Sequence, residues 1–113
     1  MEERFDTVLL EEAKEFIGSL DKKSRKKILF NIWKAKLQND SSLFKPLENN
    51  IWEFRALYLK QQIRLFAFWD KTESKRTLVI ATHGILKKTS KVPKKEIEKA
   101  TMIRNKYFED KNS

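Results

Sequence analysis

Hydrophobic residues recur every three to four positions in the first third of the chain, which is the spacing of one helix face. The first such run consists of Leu9, Leu10, Ala13, Phe16, Ile17 and Leu20. Asp21, a residue type that caps helix N-termini, precedes a second run. That second stripe consists of Ile28, Leu29, Ile32, Trp33 and Leu37. The pattern therefore predicts a helical hairpin, with a short edge strand before it around Arg4 and Phe5 and a loop after it over residues 39–50.

After residue 50 the hydrophobic period shortens to two, which predicts β-strands. Three strands are expected, over Ile51 to Leu59, Ile63 to Trp69 and Thr77 to Leu86. Tight turns are expected at Lys60-Gln61 and over residues 70–75. The second strand has apolar residues on both faces, which favours a central position in the sheet.

Pro93 is suited to the first turn of a last helix. The apolar positions of that helix are Ile97, Ala100, Ile103 and Tyr107 or Phe108, and the tail from Glu109 to Ser113 is expected to fray. The order helix, helix, strand, strand, strand, helix predicts an α+β fold in which helices pack on a mostly antiparallel sheet. A chain of 113 residues is expected to form a single domain, spanning residues 1–113.

The chain is strongly basic, with 25 Lys and Arg against 16 Asp and Glu and a formal charge of +9. This surplus attracts polyanions, so nucleic acid is the first partner to consider, although an acidic protein or an anionic membrane surface would also suit it. The absence of cysteine excludes disulfides, thiol catalysis and zinc sites built on thiolates. A single His and no acidic cluster at ligand spacing predict that no metal or other cofactor is bound.

Arginines within the predicted strands are informative, because a guanidinium is costly to bury without a partner and a strand aims it rigidly. Arg55 and Arg64 are such residues. Arg64 lies among apolar neighbours, so either a carboxylate such as Glu53 pairs with it or it lines a cleft that receives an anion. A structural ion pair and an anion site are both open at this point.

A lysine-rich segment follows the last predicted strand and contains Lys87, Lys88, Lys91, Lys94 and Lys95. A run of this kind either binds phosphates or is solvated surface. Its position between a strand end and a helix start favours phosphate binding, because backbone donors are also available there.

The histidine and the tryptophans have patterns typical of packed side chains. His83 shares its strand face with Val79, Ala81 and Ile85, which favours a hydrogen-bonded core histidine over a proton shuttle. Trp33, Trp52 and Trp69 are expected to be core aromatics before they are base-stacking surfaces.

Six segments occur in an order and spacing that together are specific. They are Lys45-Pro46-Leu47, Ile51-Trp52-Glu53-Phe54-Arg55, Ile63-Arg64-Leu65-Phe66, Thr82-His83-Gly84-Ile85-Leu86-Lys87-Lys88-Thr89, Pro93, and Glu96-Ile97-Glu98-Lys99-Ala100. In combination they resemble the phage-derived HigB-like branch of the RelE/ParE toxin superfamily, and the resemblance covers nearly the whole chain. It implies a RelE-like fold, in which a curved antiparallel sheet carries an N-terminal helical hairpin on one side and a last helix at the C-terminal end.

The resemblance also implies an activity, the metal-independent cleavage of messenger RNA in the ribosomal A site. In such toxins a ribose 2′-hydroxyl attacks the adjacent phosphate, which leaves a cyclic phosphate and a free 5′-hydroxyl. Arg55 and Arg64 match the sheet arginines of the family, which hold the phosphate. Lys87 and Lys88 match its basic residues after the last strand, which supply charge stabilisation or acid–base catalysis. RNA binding is further expected at Lys45, Lys60, Lys91 and Lys94.

Some RelE-type enzymes carry a catalytic tyrosine near the C-terminus, and this chain departs from that pattern. Tyr107 lies on the apolar stripe of the last helix and is predicted to be structural. Tyr58 shares the apolar face of its strand, so Tyr58 and His83 are disfavoured candidates for proton transfer. The resemblance therefore identifies no general base.

A cognate antitoxin, at least partly acidic, is the expected protein partner, and the wide apolar arcs of the helices are suited to dock it. Messenger RNA on the ribosome is the expected substrate, and DNA would be contacted only through the antitoxin. Two other functions stay open: a ParE-like inhibitor of DNA gyrase, which shares the fold, and a non-catalytic basic binding module. The basic set of strand and post-strand residues favours the nuclease. No apolar run reaches the length of a signal peptide or a membrane span, so a cytoplasmic location without membrane binding is expected.

Overall fold

The computed structural model describes residues 2–88 and 91–113, which form a five-stranded mixed sheet with helices on both faces. In chain order the elements are β1 (Asp6–Leu9), α1 (Glu11–Ser19), α2 (Lys22–Leu37), β2 (Phe44–Pro46), β3 (Trp52–Tyr58), β4 (Gln61–Asp70), β5 (Leu78–Lys87) and α3 (Lys94–Lys111). The order across the sheet is β1-β5-β4-β3-β2. β1 runs parallel to β5, and the other neighbouring strands are antiparallel. The predicted α+β class with a mostly antiparallel sheet is confirmed.

Two hydrophobic cores lie on opposite faces of the sheet, because successive side chains of β4 point in opposite directions. Ile63, Leu65 and Ala67 pack with α1 and α2 in the first core. Phe66 and Phe68 pack with α3 in the second core. Residues 63–68 are all buried, so the prediction that this strand is central is confirmed.

The N-terminal elements differ from the prediction in two places. The edge strand covers Asp6–Leu9 rather than Arg4 and Phe5, so Leu9 lies in β1 and Leu10 caps α1. Pairing with β5 decides this, because the N–H of Asp6 donates to the carbonyl of Thr77. The second helix begins as predicted, with the side chain of Asp21 accepting a hydrogen bond from the N–H of Ser24 at 2.8 Å.

The buried face of α2 is rotated from the predicted stripe. Its buried residues are Ser24, Ile28, Asn31, Ile32 and Ala35. Leu29 and Trp33, which the periodicity places in the core, are exposed. Asn31 accounts for the difference, because its side-chain amide donates to the carbonyl of Arg55 at 2.9 Å and therefore faces the sheet.

The connections contain three further corrections. The loop predicted over residues 39–50 includes the short strand β2, which pairs with the start of β3. The β3–β4 turn is formed by Leu59 and Lys60, both in the left-handed region, rather than by Lys60-Gln61. The helix α3 begins at Lys94, one residue after Pro93, and continues to Lys111 instead of fraying after Phe108. None of the helices in the described ranges combines the length and hydropathy needed to cross a bilayer.

Candidate nucleic-acid interface

A cleft of about 720 Å³ lies between the sheet and the start of α3. The apolar part of its wall includes Leu47 from the turn after β2, Val92 from the segment before α3, and Ile97 from the first turn of α3. Its charged residues are Lys45, Glu48, Glu53, Arg55, Lys87, Lys91 and Lys94. Five of the seven are basic, so the cleft is an electropositive opening in the sheet surface.

Strand register brings the predicted site residues to one face of the sheet. Arg55 on β3 pairs directly with Arg64 on β4, and Lys87 on β5 pairs with Gln62 on β4. Lys45 on β2 pairs with Glu53 on β3. Directly paired residues of antiparallel strands share a face, as do residues two apart in one strand, so these side chains all project to the α3 side.

One carboxylate lies among these cations. Glu53 is only 2% exposed, and its Oε2 lies 3.5 Å from Nε of Arg55 while its Oε1 lies 3.6 Å from Nε of Arg64. In the described part of the chain, Glu53 Oε1 and the Nε atoms of both arginines are buried without a hydrogen-bond partner. The ion pairs are therefore loose, and a single negative charge faces two guanidinium groups.

Arg64 is the most enclosed cation of the group, at 4% exposed. Its guanidinium donates to the carbonyl of Ile63 at 3.1 Å and to the side-chain oxygen of Gln62 at 3.0 Å. Burial lowers its pKa, with Arg55 adding to that effect and Glu53 opposing it, yet a guanidinium remains charged at neutral pH. Arg64 is not among the described residues that line the cleft, and it adds a fixed positive charge beside Glu53, which does line it.

Arg55 connects the cleft to a second basic depression of about 450 Å³ at the exposed edge of β3. Lys27, Lys34 and Arg64 also line this depression. The backbone of Arg55 is held on both sides, because its N–H donates to the carbonyl of Leu43 at 2.8 Å and its carbonyl accepts from Asn31. Basic side chains thus continue from α3 across β3 to α2.

Lys87 has an unusual electrostatic environment for an ammonium group. It is buried at the end of β5, and burial lowers its pKa. The positive charges of Arg64, Arg55 and Lys45 lower that pKa further, while Glu53 raises it. Lys87 therefore gives up a proton more readily than an ordinary surface lysine.

The structure separates Lys88 and Lys60 from this group. Lys88 follows Lys87 directly, and because strand side chains alternate, the two residues begin on opposite faces. Lys88 is exposed and is not among the residues that line either basic depression in the described ranges. Lys60 lies at the tip of the β3–β4 turn, also exposed. Lys91 and Lys94 line the cleft, and Thr89 of the resembling segment lies outside the described residues.

His83 lies in a different environment, beside a depression of about 530 Å³ between α1 and α3. Its Nδ1 is 2.9 Å from the hydroxyl of Thr82 and its Nε2 is 3.1 Å from Oε1 of Glu96. Burial lowers its pKa, which favours the neutral imidazole. His83 is therefore packed and hydrogen-bonded as expected, but the face predicted for it is wrong. A register shift between Phe66 and Ala67 places His83 on the α3 side of the sheet with Phe66, whereas Val79 and Ala81 pack in the first core.

The two tyrosines also lie away from the cleft lining. Tyr58 is half-buried at the end of β3 and shares strand parity with Phe54, which packs in the core on the α1 and α2 side. The hydroxyl of Tyr107 donates to Oδ2 of Asp70 at 2.6 Å, and its ring packs on Phe68. This contact gives Tyr107 the structural position that its apolar stripe indicates.

Two tryptophans pack on the first core and one does not. Trp52 and Trp69 are partly buried against that core, with ring centroids 5.6 Å apart. Trp33 is half-exposed on the outer face of α2, so its assignment to the core is wrong.

Asn31 is the site residue that the sequence did not predict. A buried asparagine in the middle of an amphipathic helix is a weak signal by itself, since its partner is a backbone carbonyl 24 residues away. Glu53 faces Arg55 as well as Arg64, the one partner that the sequence suggests for it. Among the described residues, no group of three or more His, Asp and Glu side chains is placed to hold a metal ion.

Comparison with known proteins gives one family. The family model described as Phage derived protein Gp49-like (DUF891) matches residues 15–105. The matched range includes the whole sheet from β2 to β5 and the cleft residues Lys45, Glu53, Arg55, Lys87 and Lys94. No curated protein and no solved structure matches the chain significantly.

Proposed function

The chain belongs to the Gp49-like family of phage-derived proteins, and from this premise we propose that it is a metal-independent endoribonuclease that cleaves messenger RNA in the ribosomal A site. Membership of the family suggests a toxin of a toxin–antitoxin pair, with an antitoxin as its partner. The ribonuclease activity, the RelE-like relationship and a cytoplasmic location are the parts that we propose.

One observation carries the proposal, the cluster of Arg55, Arg64 and Lys87 around Glu53. Three positive charges face one negative charge on adjacent strands, so the cluster retains a net positive charge for an anion to neutralise. Because the strands hold these groups in place, little reorganisation is needed when charge develops on a bound phosphate.

Cleavage through the ribose 2′-hydroxyl makes three demands, and the cluster is suited to meet the second and the third. The proton of the 2′-hydroxyl passes to solvent as its oxygen attacks phosphorus, the phosphorane carries extra negative charge, and the bond to the 5′-oxygen breaks as that oxygen gains a proton. Arg55, which is partly exposed in the cleft, would contact the phosphate, and Arg64 would add its charge from behind. Glu53 positions both guanidinium groups.

Lys87 is the residue that we assign to the leaving oxygen. Its lowered pKa allows Lys87 to act as a proton donor as well as a positive charge, because a more acidic ammonium group transfers its proton more readily to an alkoxide. Charge stabilisation alone is the simpler form of the same role. Lys88, exposed and outside the cleft lining, is better placed to contact flanking RNA than to take part in the reaction.

The remaining lysines would hold the RNA strand. Lys45, Lys91 and Lys94 line the same cleft and would bind phosphates next to the scissile one. Lys60, at the exposed hairpin tip, would contact RNA further away. Each phosphate contact adds to the salt dependence of binding. In this proposal DNA is reached only through the antitoxin.

Induction of the chain in cells, followed by mapping of RNA 5′ ends, tests the activity. The proposal predicts growth arrest with in-frame cuts in translated messages, and a loss of cleavage of about 100-fold or more in Arg55→Ala and Lys87→Ala. Lys75→Ala is the matched control, because Lys75 is an exposed cation in the β4–β5 connection. Circular dichroism would verify that all three variants fold.

Two outcomes would contradict the proposal. Growth arrest with intact messages and failing DNA supercoiling would identify a gyrase inhibitor of the same fold class. Cleavage that persists in Arg55→Ala and Lys87→Ala would place the reaction elsewhere on the molecule.

A further inference from the structure

The outer face of α2 exposes three large apolar side chains within two turns. Leu29 is 42% exposed, Phe30 is 51% exposed and Trp33 is 49% exposed. The rings of Phe30 and Trp33 lie against each other, with centroids 5.7 Å apart. Clustered exposure of this kind is characteristic of an interaction site rather than of scattered surface residues.

This apolar patch continues into a groove between α2 and β1. Thr7 and Leu9 of β1 form one wall, and Leu29, Ile32 and Trp33 form the other, around a volume of about 230 Å³. The lining is mostly apolar. We call the groove and the three exposed side chains of α2 the α2 surface.

The β1 backbone adds hydrogen-bonding capacity beside the α2 surface. β1 is the last strand of the sheet on this side. The N–H of Asp6 donates to the carbonyl of Thr77, just before β5, and the N–H of Leu10 donates to the carbonyl of Ala81 in β5. Because backbone groups alternate along a parallel strand, those of Thr7 and Leu9 point away from β5, to the edge of the sheet.

The charges that α2 contributes to the α2 surface have one sign, and the nearest acid on β1, Asp6, is paired with Arg76. Between residues 22 and 37 the helix contains no acidic residue. Its cations are Lys22, Lys23, Arg25, Lys26, Lys27, Lys34 and Lys36. A partner with acidic residues around apolar side chains would complement both properties.

We propose that the α2 surface docks an acidic segment with apolar side chains, supplied by the antitoxin. The choice of occupant rests on the proposed function, while the chemistry of the segment rests on the surface itself. Protein is favoured over RNA, because the groove is mostly apolar and therefore offers little to phosphates or base edges.

The α2 surface and the basic cleft lie on different sides of the sheet. Helix α2 packs in the core with Ile63 and Leu65, whereas the cleft lies on the α3 side, the face of Arg64 and Phe66. A partner docked on the α2 surface would therefore leave this cleft open, although Lys27 and Lys34 of α2 also line the second basic depression with Arg55 and Arg64. Capture of the toxin and cleavage of RNA are thus separable by mutation.

Two synthetic peptides of equal length provide the probe. Both carry Leu and Phe at the same helical spacing, and the remaining positions are Glu in one and Lys in the other. Titrated into the ¹⁵N-labelled full chain, the Glu peptide should shift the amides of Thr7, Leu9 and Leu29 and the indole N–H of Trp33. The Lys peptide should bind at least about tenfold more weakly.

Variants distinguish specific binding at the α2 surface from non-specific binding of the peptide to the chain. Phe30→Ala and Trp33→Ala should each weaken the Glu peptide by about tenfold or more, the size of effect typical of buried aromatic anchors. Met102→Ala is the matched control, since Met102 is an exposed apolar side chain on α3. Shifts centred on Arg55 and Lys87 instead of α2, or equal binding by all variants, would overturn the proposal.

A cellular experiment links the α2 surface to the antitoxin. Clones that relieve growth arrest by the wild-type chain are selected, and the encoded proteins are tested against Trp33→Ala. The Trp33→Ala variant should still arrest growth, and the selected proteins should no longer relieve that arrest. Relief that is unchanged, or an RNA oligonucleotide that shifts the Trp33 indole more strongly than the Glu peptide, would overturn the proposal. Absence of arrest by the wild-type chain would count against the proposed function alone, because the peptide titration does not depend on activity.

Discussion

Two carboxylates among the described residues are almost completely buried, and their surroundings differ in a way that distinguishes a structural position from a candidate site. Asp70, at the end of β4, is 1% exposed, and Glu53, in the middle of the sheet, is 2% exposed. Both lie beside cations. Only one of them has its hydrogen-bonding capacity closely filled.

Asp70 is held by short hydrogen bonds. It accepts from the Tyr107 hydroxyl at 2.6 Å, from Nζ of Lys111 at 2.8 Å, and from the hydroxyl and N–H of Thr72 at 2.7 and 2.9 Å. Burial alone would raise the pKa of Asp70, but these bonds outweigh it and hold the pKa well below its ordinary value. The result is a lock between β4 and the end of α3.

Glu53 faces Arg55 and Arg64 at 3.5 and 3.6 Å, beyond close hydrogen-bond contact. Two guanidinium groups therefore surround one carboxylate at Glu53, whereas the carboxylate of Asp70 is filled by four hydrogen bonds. The hydrogen bonds of Asp70 leave no charge around it unneutralised. The arginines around Glu53 are only partly neutralised, and their remaining positive charge is available to a phosphate. The comparison predicts that changes around Glu53 alter activity and changes around Asp70 alter stability.

The largest expected effect is on cleavage by Lys87 variants. Lys87→Met should reduce cleavage of a ribosome-bound message by about 100-fold to 1,000-fold, because charge and proton donor are both lost. Lys87→Arg should retain part of the rate, since its charge remains. The measurement is the single-turnover rate with purified ribosomes.

The pH profile sharpens this assignment. In the proposed mechanism the protonated form of Lys87 is the active one, so the wild-type rate should fall as pH rises through a pKa that lies below the ordinary lysine value. Lys87→Arg should lack that decline, because its guanidinium does not titrate in the range. An identical alkaline decline in both proteins would assign the titration to another group.

The second effect is on stability, through Asp70. Asp70→Asn should lower the free energy of unfolding by about 3 kcal/mol, because a buried charged partner of Lys111 is removed. Urea unfolding measures the change, with the exposed Asp110→Asn as the control. Cleavage per folded molecule should be unchanged, and a large loss of activity in the folded variant would break the distinction between lock and site.

The lowered pKa of Asp70 also predicts an acid dependence. Its contribution to stability is complete above the unfolded carboxyl pKa of about 4, and it is lost as pH falls through the lower pKa of the folded protein. Asp70→Asn should remove that part of the acid slope in urea titrations between pH 5 and pH 3, values of about one unit either side of the unfolded pKa.

The third effect is smaller and involves Glu53. Glu53→Gln should destabilise the protein by about 1–2 kcal/mol, because two guanidinium groups lose their counter-charge. Inorganic phosphate should restore most of the loss by binding the cations, and it should restore none of the loss in Asp70→Asn. Equal responses of the two variants to phosphate would remove the basis for treating the Glu53 cluster as an anion site.

Much of the fold follows from local patterns. The shift from a period of three to four to a period of two locates β3, β4 and β5, and the double apolar character of β4 identifies it as central. The face shared by Arg55 and Glu53 also follows, because parity within a strand is a local property. Parity likewise separates Lys88 from Lys87.

The elements that the sequence did not predict depend on partners far along the chain. The strand β2 has three residues and includes Pro46, so only its pairing with β3 makes it a strand. The orientation of α2 depends on Asn31 and the carbonyl of Arg55, and the last turn of α3 depends on Asp70 and Lys111. Helical periodicity contains no information about such bonds.

The smallest expected effect on stability and cleavage is that of replacing His83. Its side chain has neither the loose contacts of Glu53 nor the complete hydrogen bonding of Asp70. Burial lowers its pKa, Lys99 adds to that effect, and Glu96 and Glu12 oppose it. Because the folded pKa lies below the unfolded value of about 6.5, stability should be complete above that pH and decline as pH falls through it. His83 is the only imidazole in the chain, so His83→Gln should abolish this decline in urea unfolding between pH 7.5 and pH 5.5, about one unit either side of that value.

At pH 7.5, near that upper limit, the His83→Gln variant should cleave RNA within about threefold of the wild type, since a neutral side chain bound to Thr82 and Glu96 contributes no charge to the cleft. A loss of cleavage rate as large as that of Lys87→Met would indicate that His83, and not Lys87, transfers the proton.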